Sequence, residues 1–304
     1  MINNHDIFIY PPYTFIRDPE DLRLIDIIKK SGECGRECVC VIGYPWDWST
    51  AGFPGARFAP QILRKYLHEV RVNEDLCLCD LGDIAIAPGD QDKSEERLRE
   101  AIRFSLDNCK GFIVFGGDHS LTKIVMSILV ERFGRVSLVM FDAHLDMRKL
   151  SEGKSSGTHL RELSERYKDR IDVAVIGYRE KYNPKYMINY AKTINALLIE
   201  ISMIKENLSR VKELLRDFVR NKITYLSIDA DSLDPSQCPG VNSIVPDGIY
   251  LRELLELLHT IHAAGSRVIG ADIVEVVPSR DPNDLCSRNM AYISYHVINY
   301  IYRS

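Results

Sequence analysis

The sequence predicts a three-layer α/β/α sandwich built on a mainly parallel sheet. Short apolar runs of strand length alternate with longer segments of helical periodicity, which is the pattern of repeated strand–helix units. Three of the apolar runs end in Asp, His or Gly residues, and parallel sheets bind their ligands beyond the carboxyl ends of their strands. No linker, internal repeat or low-complexity segment divides the sequence, so we expect residues 1–304 to form a single domain.

The helices are predicted from apolar residues that recur at spacings of three and four. Leu98, Ile102 and Leu106 show this spacing in one segment, and Ser31 with Gly32 ends another. The predicted helices are 18–30, 62–70, 94–108, a segment that begins at 120, 203–219, 251–263 and about 284–302.

The strands are predicted from short apolar runs. They are 38–43, 76–82, 111–115, 136–140, 171–176, 194–200, 223–229 and 267–276. Among the loops, 44–60 is rich in Gly and Pro, and 149–158 is polar. The loop 44–60 is too long to serve only as a connection, and the composition of 149–158 indicates a second site loop, so both are candidate walls of a site.

Composition excludes several classes of partner. With 304 residues, of which 45% are apolar, the chain can bury a large core. The formal charge of −4 and the lack of a long basic run give no reason to expect nucleic acid or an anionic membrane as a partner. No apolar run approaches the roughly 18–20 residues of a membrane span. Residues 1–6 lack the basic start and apolar core of a signal peptide, so a cytoplasmic protein is expected.

The eight cysteines are predicted to be free thiols, buried or partly buried. Cys34, Cys38 and Cys40 are close enough in sequence to suggest a metal or cluster site, but no fourth ligand follows at zinc-like spacing. Cys40 belongs to the apolar run 38–42, where a thiol acts as a small hydrophobe.

The segment 141–146 contains the pattern Asp-x-His-x-Asp directly after an apolar run. Side chains alternate between the faces of an extended chain, so Asp142, His144 and Asp146 point the same way. Carboxylates this close raise each other's pKa and repel unless a cation lies between them. Taken alone, the pattern fits a metal site and a solvated strand end about equally.

Two further strand ends favour the metal site. His119 lies in the segment 116–120, directly after the run 111–115, and Asp229 and Asp231 follow the run 223–226. Three strand ends that finish in His or Asp fit one ligand-binding edge of a parallel sheet. The alternative is three unrelated turns that use Asp and Gly for loop geometry.

Together these stretches resemble the signatures of the ureohydrolase family, which includes arginases, agmatinases and formimidoylglutamases. The likeness extends over most of the chain, because 43–47 and 54–60 resemble its N-terminal motifs and 238–241 and 272–278 its C-terminal ones. The resemblance implies an arginase-like fold, two Mn²⁺ per chain and a homo-oligomer, usually a trimer or hexamer. It also implies that a hydroxide bridging the ions attacks a guanidinium or amidine carbon, with loss of urea or formamide.

Six residues form the candidate ligand set. They are His119, Asp142, His144, Asp146, Asp229 and Asp231. Two imidazoles and four carboxylates are too many for one tetrahedral zinc, but they fit two divalent ions about 3.5 Å apart that share carboxylates. Ligands rich in oxygen suit manganese, while cobalt, iron and zinc remain open.

Three further residues are candidates for catalysis. Asp118 is either a carboxylate that orients His119 or the N-cap of the following helix. Glu275 matches the family acid that holds the cationic amidino group. His159 is either a displaced proton shuttle or an ordinary loop histidine.

The loop motifs favour formimidoylglutamate as substrate. The segment 155–161 resembles the S-G-T-P-F-R-Q type of formimidoylglutamases, with His159 at the Pro position, and makes Ser156 and Thr158 candidate substrate contacts. Arg148 suits a substrate that carries a carboxylate, although some agmatinases share this Asp-x-Arg pattern and Glu152 is an alternative partner for the guanidinium.

The expected reaction is therefore hydrolysis of N-formimidoyl-L-glutamate to glutamate and formamide. Agmatinase, which converts agmatine to putrescine and urea, is the alternative. Arginase and guanidinobutyrase are less favoured. Arginase is the least favoured of the family, because the segment 177–182 lacks the final Asp of the arginase G-L-R-D-V-D pattern. A catalytically silent binding or scaffold homologue would be expected to lack ligands, whereas all six are present.

Overall fold

The computed structural model of the chain describes residues 20–72 and 75–304. Its strands are β1 (Lys29–Lys30), β2 (Val39–Tyr44), β3 (Leu78–Asp83), β4 (Gly111–Gly116), β5 (Val136–Phe141), β6 (Ile171–Tyr178), β7 (Leu197–Glu200), β8 (Ile223–Asp229) and β9 (Arg267–Val274). Within this part of the chain they form one sheet in the order β1-β3-β2-β4-β9-β8-β5-β6-β7, and every neighbouring pair is parallel.

Helices cover both faces of this sheet. They are α1 (Leu24–Ile27), α2 (Ala59–His68), α3 (Gln91–Asn108), α4 (Leu121–Phe133), α5 (His159–Tyr167), α6 (Lys185–Thr193), α7 (Ile201–Val219), α8 (Leu251–Ala263) and α9 (Leu285–Arg303). One apolar core contains buried residues of α2, α7, α8 and α9, and a second core contains those of α3, α4, α5 and α6. The predicted three-layer α/β/α sandwich with a parallel sheet is confirmed.

The central strands are buried on both faces, which explains why they read as continuous apolar runs. In β4, Ile113 and Phe115 belong to one core, whereas Phe112 and Val114 belong to the other. Alternation along a strand therefore divides these side chains between two helical layers. For this reason the sequence shows no apolar–polar alternation at the strands that lead into the site.

The prediction of a helix over 18–30 is wrong, and two helices were not predicted. Residues 18 and 19 lie outside the described residues, and α1 covers only Leu24–Ile27. Lys29 and Lys30 instead pair with Cys79 and Asp80 of β3, so backbone pairing at the sheet edge overrides the local helical spacing. Helices α5 and α6 lie in polar stretches whose periodicity is weaker than that of the predicted helices.

The prediction of free thiols is also wrong, because the structure pairs all eight cysteines. The bonds are Cys34–Cys79, Cys38–Cys77, Cys40–Cys109 and Cys238–Cys286. The first three lie at the β1–β3–β2–β4 side of the sheet, where strand pairing brings distant cysteines together. Val39 is the register partner of Leu78, which sets Cys38 beside Cys77. Sequence spacing alone carries no information about that register.

No helix in the described part of the chain combines the length and the apolar character needed to cross a membrane.

Candidate metal centre

The candidate ligands lie at the carboxyl ends of three strands that are close together in the sheet but far apart in sequence. His119 follows β4, the segment 142–146 follows β5, and Asp231 follows β8. Strands β4, β9, β8 and β5 are consecutive in the sheet, so their carboxyl ends meet along one edge. The sheet order, rather than any local sequence feature, assembles this site.

A tight approach of two backbones fixes the position of His119. A Cβ atom on Gly117 would lie 1.8 Å from the carbonyl oxygen of Trp46, so only glycine fits there. The backbone N–H of Asp118 donates to the same carbonyl at 2.8 Å. The turn that presents His119 is therefore held against the loop 44–60.

The first cluster surrounds Nδ1 of His119. This atom lies 3.1 Å from Asp142 Oδ2, 3.1 Å from Asp229 Oδ2 and 3.4 Å from Asp146 Oδ2. Although it is buried, it makes no hydrogen bond within the described residues, and neither does Asp142 Oδ2. A buried imidazole nitrogen directed at three carboxylate oxygens is a donor set that fits a divalent cation.

The second cluster shares Asp142 with the first. His144 Nδ1 lies 2.8 Å from Asp231 Oδ2 and 3.6 Å from Asp142 Oδ1. One oxygen of Asp142 therefore belongs to each cluster, which is the position of a bridging carboxylate. The six predicted ligands are brought together as two adjoining groups, as a two-ion site requires.

Electrostatics in the two clusters indicate a need for positive charge. Burial and the nearby charges of Asp146 and Asp231 raise the pKa of Asp142. Burial lowers the pKa of His144, but Asp231 and Asp142 outweigh it and raise that pKa to about 12. Without bound cations, the histidines hold the protons that compensate the carboxylates.

His159 belongs to this centre rather than to an exposed loop. It is fully buried, and its ring centroid lies 4.3 Å from that of His119. Its Nδ1 lies 2.7 Å from the carbonyl oxygen of Ser156 and 3.3 Å from Asp146 Oδ2. Its Nε2 makes no hydrogen bond with the described residues. Of the two interpretations that the sequence left open, the position of His159 favours a role in the site.

Asp118 is directed at the backbone around it rather than at the His119 ring. Its carboxylate accepts hydrogen bonds from the backbone N–H groups of Ser49 at 2.8 Å and Ser120 at 3.0 Å. Burial raises its pKa to about 6. The N-cap of α4 is Ser120, so Asp118 holds the turn before this helix and is not its N-cap, and these contacts give no support to direct orientation of the imidazole.

Glu275 lies next to the first cluster, directly after β9. Its Oε1 accepts the backbone N–H of His119 at 2.9 Å, and its own backbone N–H donates to the Gly117 carbonyl at 2.8 Å. Burial, followed by the charge of Asp118, raises its pKa to about 8. Its φ of 61° is unusual for a residue other than glycine, and strained backbone of this kind is often found at functional sites.

The substrate-binding candidates differ in what they can offer. Arg148 is exposed and forms no ion pair with any side chain that the structure describes. The side chain of Glu152, its predicted alternative partner, is outside the described part of the structure. Ser156 is half-buried, and its backbone N–H donates to the Ser49 carbonyl at 2.9 Å.

The Thr158 hydroxyl is already engaged within the loop. It lies 2.8 Å from the Ser155 carbonyl oxygen, 2.9 Å from Glu162 Oε1 and 2.9 Å from the Ser155 nitrogen. These contacts use its single hydroxyl proton within the loop. The structure therefore places the Thr158 hydroxyl in contacts within its own loop, and its contact with substrate stays a prediction.

Two residues that were not predicted hold the ligand segments in place. Arg179 is buried, and its guanidinium donates to the carbonyl oxygens of Gly177, Ser232 and Asp247 at 3.1, 3.1 and 2.9 Å. Asn183 accepts the Leu145 N–H at 2.9 Å. Arg179 directly follows a predicted strand, in the segment 177–182, and this position could have marked it as a site residue. The sequence around Asn183 contains no comparable feature.

Comparison with known proteins agrees with this geometry. The family model described as "Arginase family" matches residues 37–299. The chain is 32% identical over 274 residues to the formimidoylglutamase of Bacillus subtilis, covering 85% of each chain, and 31% identical over 252 residues to the agmatinase of the same organism, covering 80% of this chain and 84% of that one. The crystal structure of the Bacillus subtilis formimidoylglutamase superposes with a TM-score of 0.90 at 28% identity, covering 99% of this chain and 98% of that one. This chain belongs to the arginase family.

Proposed function

We propose that this chain is a two-metal hydrolase that converts N-formimidoyl-L-glutamate and water to glutamate and formamide. The proposal depends chiefly on one observation, which is that Asp142 contributes one oxygen to each of two adjoining clusters of His and Asp. Such a shared carboxylate is expected between two divalent ions. The family is one of hydrolases that act on amidino carbon–nitrogen bonds, and formimidoylglutamase and agmatinase both match the chain at about one third identity.

The proposed ions are two Mn²⁺. His119, Asp146 and Asp229 would hold one, His144 and Asp231 the other, and Asp142 would contact both. Oxygen ligands with two imidazoles suit Mn²⁺. When bound, the ions supply positive charge that makes a water molecule acidic enough to react near neutral pH.

Protein groups around the clusters would orient the substrate. We assign to Glu275 the binding of the amidino cation, because its buried carboxyl group lies beside the first cluster, where burial raises its pKa and a bound cation would stabilise its ionised form. We assign to Arg148 the carboxylate of the substrate, since a guanidinium can bind a carboxylate through two hydrogen bonds. His159 would hold Asp146, which lies 3.3 Å from its Nδ1.

Agmatinase is the second candidate, and its support is the similar identity of the agmatinase relative. The deciding experiment loads the purified protein with Mn²⁺ and assays it in parallel on formimidoylglutamate, agmatine, arginine and guanidinobutyrate. Both formamide and urea are measured for each compound. Formamide from formimidoylglutamate at the highest kcat/KM supports the proposal, whereas a preference for agmatine with release of urea contradicts it.

The quaternary structure and the compartment belong to the same proposal. We expect a homo-oligomer, a trimer or hexamer, in the cytoplasm, with no nucleic acid or membrane partner. Light scattering of the purified protein measures the first of these directly.

A further inference from the structure

A buried hydrogen-bond network lies behind His119, on the side of its ring away from the carboxylates. His119 Nε2 lies 2.8 Å from Ser227 Oγ, and Ser227 Oγ lies 2.6 Å from Asp272 Oδ1. The other oxygen of Asp272 lies 2.8 Å from the hydroxyl of Thr122 and 2.9 Å from that of Tyr225. All five residues are at most 1% exposed, so water does not replace these contacts.

The protons of this network can be assigned from its chemistry. An ionised carboxylate only accepts hydrogen bonds, so the three hydroxyl groups around Asp272 donate to it. Ser227 has a single proton, which is used in its bond to Asp272. Ser227 can then only accept from His119, so Nε2 of the imidazole carries a hydrogen.

This assignment determines which imidazole atom is free to bind a cation. A neutral imidazole with hydrogen on Nε2 has its lone pair on Nδ1. Nδ1 is the atom that lies 3.1 Å from Asp142 and from Asp229 and makes no hydrogen bond within the described residues. The network and the first cluster therefore require the same tautomer.

The network is built on the rigid centre of the sheet. Ser227 in β8 and Asp272 in β9 are register partners on neighbouring parallel strands. Tyr225 is two residues before Ser227 and lies on the same face of β8. Thr122 belongs to the first turn of α4, which follows His119 directly. A relay of this kind can fix the orientation of the ring more firmly than a loop residue could.

We propose that Asp272 is a positioning residue for the metal centre, acting through Ser227 to hold His119 with Nδ1 directed at the first cluster. This inference rests on the proposed function in one respect only, namely that the first cluster binds a divalent ion. It assigns no contact between Asp272 and the substrate. Outer partners of metal-binding histidines typically change metal affinity by about 10–100-fold when they are removed.

The test measures Mn²⁺ binding by electron paramagnetic resonance and calorimetry on the full chain. Asp272→Asn replaces one acceptor oxygen by an NH₂ group, which cannot accept from all three hydroxyls. We expect it to lower the affinity for the ion at the first cluster by about 10–100-fold. The affinity for the other ion should stay close to wild type, because His119 belongs to the first cluster only. Ser227→Ala breaks the same relay and should lower the affinity for the same ion. The double variant should bind that ion no more weakly than Ser227→Ala alone does.

Asp281→Asn is the matched control. Asp281 is also a buried carboxylate with three hydrogen bonds, from Cys286 N, Ser287 N and Ser287 Oγ, none of which involves either cluster. It should leave both Mn²⁺ affinities unchanged even if it lowers the melting temperature. If Asp272→Asn fails to fold, Ser227→Ala alone decides.

Two outcomes would overturn the inference. One is a folded Asp272→Asn or Ser227→Ala protein with both affinities at wild-type level, and the other is an equal loss at both ions, which would indicate a general structural defect. Neither outcome affects the hydrolase proposal. That proposal fails separately if the wild-type protein binds two Mn²⁺ but hydrolyses none of the amidino substrates.

Discussion

The Glu275 side chain accepts the backbone N–H of His119 at 2.9 Å, although the two residues are 156 positions apart in sequence. The bond joins the end of β9 to the turn after β4, which are neighbouring strands. Glu275 is held with a φ of 61°, a conformation that costs on the order of 1 kcal/mol or more for a residue with a side chain. The same bond places the Glu275 carboxyl group beside the first cluster, so the strained residue occupies a defined position in the candidate site.

Glu275→Gln tests the proposed role of that carboxylate. The amide keeps the shape of the side chain but removes its charge, and a hydrogen bond to a charged group contributes about 1.5–3 kcal/mol. We therefore expect kcat/KM to fall at least about ten-fold while the Mn²⁺ content stays at two per chain. Metal analysis is run beside the kinetics, because loss of an ion would mean that Glu275 is a ligand and that the assigned role is wrong.

Glu275 also predicts how the metal-free protein responds to pH. Burial, then the charge of Asp118, raises its pKa from 4.5 to about 8, so the folded state holds this proton more tightly than the unfolded state does. The free energy of unfolding should therefore decrease as pH rises from about 4.5 to 8. Burial raises the pKa of Asp118 from 3.8 to about 6. Asp118 should therefore also lower the free energy of unfolding as pH rises between these two values.

Melting curves of the chelator-treated protein at pH 5 and pH 8 check this. In Glu275→Gln the decrease between the two pH values should be smaller, because the amide does not titrate. An identical pH dependence in the two proteins would mean that Glu275 does not hold a proton in the metal-free state.

The two clusters predict that individual ligands differ in their effects. Asp142 contributes an oxygen to each cluster, whereas His144 belongs only to the second. Asp142→Ala should lose both ions, and His144→Ala should lose one. Elemental analysis gives the stoichiometry, and circular dichroism shows whether each variant folds. Full activity of the wild-type protein in excess chelator, or no anomalous signal in a Mn²⁺-soaked crystal, would reject the metal centre altogether.

The sequence was sufficient for the fold class and for the identity of the clustered side chains. Asp142, His144 and Asp146 alternate along an extended segment, so their common direction follows from local geometry alone. The order of the strands in the sheet could not be predicted from the sequence in the same way, because it depends on which helices pack on which face. The relay from Asp272 to His119 is an example, since its members come from β8, β9, α4 and the turn after β4. The cysteine pairs were missed for the same reason, because the packing of distant segments, rather than their spacing in sequence, decides which cysteines meet.

The four disulfides can be tested directly by mass spectrometry. Each bond removes two hydrogens, so the intact protein should be about 8 Da lighter than its fully reduced form. A disulfide that closes a loop of several tens of residues typically stabilises a protein by about 2–4 kcal/mol, so a reductant should lower the melting temperature. Alkylation under denaturing conditions without reductant should label no cysteine.

The four disulfides also bear on the compartment in which the protein is expected. Disulfides persist in oxidising compartments and in the cytoplasm of hyperthermophiles, but they are rare in other cytosolic proteins. Eight alkylated cysteines in freshly purified protein would contradict the pairing and agree with the thiols that the sequence predicts.

The remaining prediction concerns the substrate and depends on Arg148. Asp146, two residues before it, lies 3.4 Å from His119 and 3.3 Å from His159, so the segment that carries Arg148 is anchored at the first cluster. The backbone N–H of Arg148 donates to the Gly157 carbonyl at 3.0 Å, which ties the segment to the loop that carries Ser156. The guanidinium itself is exposed, so it can reach a ligand at the rim of the site.

A cation in this position discriminates between the two candidate substrates. It can form two parallel hydrogen bonds with the carboxylate of formimidoylglutamate, whereas it repels the ammonium end of agmatine. Arg148→Ala should therefore raise KM for formimidoylglutamate by about ten-fold or more, as expected for loss of a charged hydrogen-bonded pair, and should change KM for agmatine far less. Lys154→Ala is the matched control, because Lys154 is an exposed cation nearby that already pairs with Glu162 at 3.4 Å. It should leave both KM values unchanged. If the wild-type protein prefers agmatine and forms urea, and Arg148→Ala keeps that preference, Arg148 does not bind a substrate carboxylate and the chain is an agmatinase built on the same metal centre.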